Sequence, residues 1–128
     1  MSSILRAAWF YFLAVFAAGF VLGTIRTLWL EPALGPLPSV LTELPVMLLW
    51  SWMACGIILR RLPVAGGIAP RLAMGAVALV MLLAAEAALS VTLGGLTLAG
   101  HVALYATAPV LAGLAGQIVF ALFPLLRR

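Results

Sequence analysis

The sequence predicts an all-α fold: a four-transmembrane-helix bundle with both termini in the cytoplasm and an apolar, proline-rich outer loop between helices 1 and 2. Three observations carry this. Of the 128 residues, 66% are hydrophobic and 8% are charged, against roughly 45–50% and about 25% in soluble domains. A chain this small has no core large enough to hide so much apolar surface. The apolar residues also fall into four runs, each long enough to cross a hydrocarbon layer of ~30 Å at 1.5 Å per helical residue. Finally, the period-two alternation of a membrane barrel is absent. A water-soluble enzyme, a secreted disulfide scaffold and a disordered tail are excluded together. Residues 1–128 read as a single integral membrane domain, with helices at about 5–26, 42–60, 71–93 and 102–126.

Helix 1 rests on the uncharged run of 19 residues from Ala7 to Ile25, flanked by Arg6 and Arg26. A secretory signal has an apolar region of about 7–15 residues. This run is longer and rich in Trp, Phe and Tyr, so it reads as an uncleaved span. Residues 27–42 are apolar for a loop but carry Pro32, Pro36 and Pro38. Prolines oppose helix there, so the segment is expected to lie along the outer interface, with Trp29 at headgroup depth, or to fold over the helices.

Thr42 then reads as the N-cap of helix 2, with Glu43 complementing the positive end of the helix dipole. That helix stops at Arg60-Arg61. Pro63, Gly66-Gly67 and Pro70 mark an ordinary turn over Leu62–Pro70. Helix 3 follows Arg71 and ends at Gly94-Gly95. His101 opens helix 4 at the outer surface, Pro109 is expected to bend it, and Arg127-Arg128 close the chain.

Orientation follows from the arginines. An N-terminus in the cytoplasm places Arg6, Arg60, Arg61, Arg71, Arg127 and Arg128 inside and Arg26 alone outside, which is a strong positive-inside bias. The seven basic residues punctuate apolar runs rather than lining one polar face, so nucleic acid is not the partner. Cys55 is the single cysteine and sits within a span, which leaves no disulfide framework and no cysteine metal site. The lipid bilayer is the implied partner. Small residues recur at spacing four, as in Gly19 and Gly23 or Ala108, Ala112 and Gly116. Such faces serve packing within the bundle or a homo-oligomer or larger membrane complex.

The residues able to carry chemistry concentrate in the outer half. Glu86 lies about 15 residues into helix 3, roughly 10 Å short of the outer boundary on the helical rise. An intramembrane acid is costly and needs a partner or a proton. Either it pairs with Arg26 or hydrogen-bonds across the bundle, or it serves a proton, ion or substrate; Ser90 shares its face one turn on. Arg26 either snorkels to water, pairs with Glu86 or Glu43, or holds a ligand. Glu31 reads as solvated, and His101 as a surface or capping residue with Tyr105 one turn later.

A lone His lacks the partners of a metal site. Trp50 and Trp52 either face lipid or core, or stack on an apolar cofactor such as a carotenoid or quinone. Gln117 reads as an interhelical hydrogen-bond donor. The expected polar cluster is therefore Arg26, Glu43, Glu86, Ser90, His101 and Tyr105, with no catalytic residues, no metal and no cofactor.

Two known groups share the size and helix count. Small multidrug-resistance transporters carry an acid in helix 1, where this chain has none. Fluoride channels have an Asn in helix 2, and this chain has no Asn at all. The run Phe12-Leu-Ala-Val-Phe-Ala-Ala-Gly-Phe-Val-Leu-Gly-Thr-Ile-Arg26, with Glu43-Leu-Pro-Val-Met-Leu and Glu86, resembles instead a group of small uncharacterised bacterial four-helix membrane proteins. The resemblance implies the bacterial inner membrane and brings no activity. The expected function is a non-enzymatic multipass protein that binds lipid, an apolar ligand or a membrane complex. The alternative is a minimal proton- or cation-coupled transporter or channel using Glu86.

Overall fold

The computed structural model of the protein describes residues 2–127; Arg128, one of the arginines expected inside, lies outside the described residues. All elements among the described residues are helical: α1 (Ser2–Ile25) running into a π-helical turn (Arg26–Leu30), α2 (Glu31–Leu34), α3 (Pro36–Arg61), α4 (Ile68–Thr92), α5 (Leu98–Ala103), a 3₁₀ turn (Leu104–Ala106) and α6 (Ala108–Leu126). Four segments are long and apolar enough to cross a membrane: Ser3–Leu34, Pro36–Arg61, Ile68–Thr92 and Ala108–Leu126. The protein is a multipass, all-helical membrane protein.

The four long helices form a ring in which α6 packs on α3 and α4, and α1 packs on the same two. The chain neighbours α3 and α4 therefore face each other across a diagonal, as do α1 and α6. Close approach is purchased with glycine. A Cβ on Gly75 of α4 would overlap the Ala121 carbonyl of α6, and one on Gly116 would meet the Leu44 side chain of α3. These small residues bring backbones together where lipid supplies no hydrophobic drive. The half of the bundle nearer the two chain ends is densely filled, with Tyr11, Cys55, Met74 and Ala78 fully buried. Trp9, Leu49 and Val80 point outward at about half exposure or more, as lipid-facing side chains do.

Three local expectations are corrected. The outer segment 27–42 is helical rather than a loop, because each proline sits where a helix can take it. Pro32 lies in the first turn of α2, and Pro36 and Pro38 lie in the first turn of α3, where backbone N–H groups have no intrahelical acceptor to lose. The reversal falls on Gly35, whose φ of 89° suits a residue without a Cβ.

Since α3 starts at Pro36, Thr42 is no N-cap; its hydroxyl donates back to the Pro38 carbonyl at 2.8 Å. Glu43 accordingly lies well past the first turn, too far in to complement the dipole. The fourth span is divided. Thr97 caps α5 by accepting from the Gly100 N–H at 3.0 Å, and Pro109 begins α6 rather than bending it. His101 consequently belongs to a separate short helix folded against the bundle, where it is buried at 9% exposure. It is not a surface residue.

Candidate functional site

The end of the bundle remote from both chain ends, the half expected outside, is open where the opposite half is packed. A cavity of about 210 Å³ reaches from Arg26 and Glu43 down to Ser51 and Phe120. A second, of about 370 Å³, spreads outward between α4, α5 and α6 to Glu31, His101 and Tyr105. The two share six lining residues: Arg26, Val40, Glu86, Leu89, Gly113 and Gln117. They form one vestibule, polar at mid-height and apolar at its floor, where Met47, Leu48, Leu82 and Phe120 close it.

Arg26 sits on the wall because α1 does not end at Ile25 but widens into the π-helical turn. Its Nη1 donates to Glu43 Oε2 of α3 at 2.9 Å. A π turn aligns residues five apart, so Glu31 comes round to the same guanidinium, with Oε1 3.6 Å from Arg26 Nε. Glu31 is thus a second partner of Arg26, not a free solvated acid. The Glu43 side chain is only 12% exposed, and at that depth a carboxylate without its cation would be costly.

Glu86 enters from α4 and meets Gln117 of α6. The Gln117 amide nitrogen lies 2.8 Å from both carboxylate oxygens and donates to them. Of the two arrangements open to Glu86, the hydrogen bond across the bundle is the one formed. Arg26 is held by Glu43 and Glu31, and no salt bridge involves Glu86 among the described residues. Ser90, one turn above, shares a hydrogen bond of 2.7 Å with His101 Nδ1. The Tyr105 ring stands edge-on to the imidazole, 5.6 Å between centroids. Burial, with the Glu86 carboxylate nearby, pushes the Tyr105 phenol above its ordinary range, so its hydroxyl remains a donor at neutral pH.

All six residues expected to cluster therefore border one space. Arg26 and Glu86 line both parts, Glu43 the inner, and Ser90, His101 and Tyr105 the outer. Sequence reasoning missed Glu31, Ser51 and Gly113 as members. The Glu31 signal was present in its five-residue separation from Arg26, hidden by the prolines that disguised a helix. Trp50 and Trp52 do not line the vestibule. The Trp50 indole donates to the Ala14 carbonyl at 2.9 Å, and Trp52 packs edge-on against Phe123 beneath the Arg127 guanidinium.

The site offers hydrogen bonding, charge pairing and proton exchange, and its walls set one hydroxyl beside an imidazole, Ser90 at 2.7 Å from His101 Nδ1. Among the described residues, no three His, Cys, Asp or Glu side chains gather as metal ligands would. No family model matches the chain, and neither a curated protein nor a solved structure gives a match.

Proposed function

We propose that the protein is a non-enzymatic, multipass inner-membrane protein, oriented with both termini in the cytoplasm, that holds an amphiphilic ligand in its outer-half vestibule. The observation that carries this is the one-sided cavity: an apolar floor at Phe120 and Met47 beneath a polar girdle of Arg26, Glu43, Glu86 and Gln117. A few convergent polar groups above apolar walls is the usual make-up of a small-molecule site. The packed inner half, with Tyr11, Cys55 and Met74 fully buried, favours a pocket over an open pore. The resemblance of the Phe12–Arg26 stretch to small bacterial membrane proteins supports the inner membrane as its place.

The test uses Gly113. A Cβ there meets open space, yet the residue lines both parts of the vestibule. Gly113→Leu should fill the cavity without disturbing the helices. Mass spectrometry of the purified wild-type protein should detect a bound lipid or small amphiphile that the Gly113→Leu variant lacks. Equal occupancy in both would refute the reading.

A second reading, a minimal proton- or cation-coupled transporter or channel, is favoured by Glu86, which faces both parts of the vestibule without an ion-pair partner among the described residues. Reconstituted liposomes decide between them. A pH-dependent flux abolished by Glu86→Gln would establish transport, and its absence would leave the binding protein.

A further inference from the structure

We propose that the ligand of the vestibule is a small amphiphilic cation, an ammonium carrying an apolar group about the size of one aromatic ring, with its charge on Glu86. The inference rests on the binding reading above and names its ligand class.

The charges bordering the vestibule do not balance. Three carboxylates, Glu31, Glu43 and Glu86, face one guanidinium. Arg26 is already engaged by Glu43 at 2.9 Å and flanked by Glu31 at 3.6 Å. Glu86 receives only a neutral amide, and both of its contacts come from the same Gln117 nitrogen. A carboxylate has about four lone-pair positions, so about half of its accepting capacity is left, on a side chain that lines both parts of the cavity. In a low-dielectric setting an unpaired carboxylate either binds a proton or gathers a cation. Neither basic side chain bordering the vestibule forms an ion pair with Glu86: Arg26 bonds Glu43 through Nη1 with Glu31 beside its Nε, and His101 meets Ser90 through Nδ1.

Size and polarity select the rest of the ligand. Below Glu86 the walls become Met47, Leu82 and Phe120, and the Ser51 hydroxyl at that depth already donates to the Met47 carbonyl at 2.7 Å. An apolar cavity of about 150 Å³ accepts benzene, so about 210 Å³ shared with the polar girdle suits one ring or a short branched chain. The Phe120 ring at the floor also gives the cation's apolar part an aromatic surface to pack on. An anionic headgroup is disfavoured by the same charge count, and a neutral one would leave Glu86 as unbalanced as before.

The test compares two probes with identical apolar tails: 3-phenylpropylammonium and 3-phenylpropan-1-ol. Calorimetric titration uses the full chain in phosphatidylcholine nanodiscs, with empty discs subtracted. The amine should bind about tenfold or more tightly than the alcohol, the difference between a charge-assisted and a neutral hydrogen bond. Glu86→Gln should erase that preference, and Glu86→Asp, which keeps the charge, should retain it. The Asp variant and the two-probe comparison on wild type still decide the matter if the Gln variant fails to fold. Equal binding of both probes to wild type overturns the cation while leaving the binding pocket intact. A preference that survives Glu86→Gln removes Glu86 as its source and overturns the proposal. If neither probe binds, this inference fails, and the Gly113→Leu comparison judges the binding reading separately.

Discussion

The Tyr11 hydroxyl donates a 2.7 Å hydrogen bond to the Phe120 carbonyl, and Phe120 is the residue four positions before Pro124. A proline inside a helix removes the N–H that would satisfy the carbonyl one turn back. Pro124 lies inside α6, so α1 reaches across the bundle diagonal to supply the missing donor. The Tyr11 and Phe120 rings stack at 4.3 Å between centroids, and Tyr11 is wholly buried. In lipid, where no water can take over, such a substitute donor is required.

Replacing Tyr11 by Phe leaves that carbonyl unpaired and should lower stability by about 1 kcal/mol, the scale of side-chain hydrogen bonds in membrane proteins. The replacement should cost less in a Pro124→Ala background, where the helix regains its own donor. Chemical unfolding of the four-member cycle measures the difference. Equal costs in both backgrounds would show that the two residues are uncoupled.

Glycines 75 and 113 should respond in opposite ways to alanine. At Gly75 the added methyl collides with the Ala121 backbone, which has no rotamer to yield, and the expected loss is about 1–3 kcal/mol. At Gly113 the methyl enters open space, and the helix gains about 0.5–1 kcal/mol from the lost flexibility of glycine. Melting temperatures of the two variants should therefore move apart from wild type.

Arg26→Leu should destabilise by about 2 kcal/mol, below the roughly 3–5 kcal/mol of a fully buried pair because the Arg26 side chain is 28% exposed. A further Glu43→Leu change should restore part of the loss by removing the stranded charge. If the double variant is as unstable as the sum of the single changes, the Arg26–Glu43 bond is not the source.

Cytoplasmic reporters fused after Gly67 or after the C-terminus should be active, and a periplasmic reporter inserted at Leu96 should be active. A periplasmic reporter that works at the C-terminus would reverse the topology.

Span number and approximate length were legible in the residues because bilayer crossing depends on hydrophobicity summed along some twenty consecutive positions. The outer-half clustering of Arg26, Glu43 and Glu86 was legible for the same reason, since depth follows from distance along a helix. Azimuth does not. Which acid Arg26 meets depends on how far α1 rotates through its π-helical turn and on which faces of α3 and α4 close around it. Glu86 turned to Gln117 because α4 and α6 touch through Gly75 and Ala121.

The prolines make the same point. Each carries one local rule, that its nitrogen cannot donate, and that rule starts a helix at Pro36 and Pro109 but strands a carbonyl at Pro124. The outcome depends on where the helix begins, and burial against neighbouring helices sets that beginning. Tyr11 answers the stranded carbonyl from 109 residues away, a pairing formed by the diagonal approach of α1 and α6, on which the local sequence around either residue has no bearing.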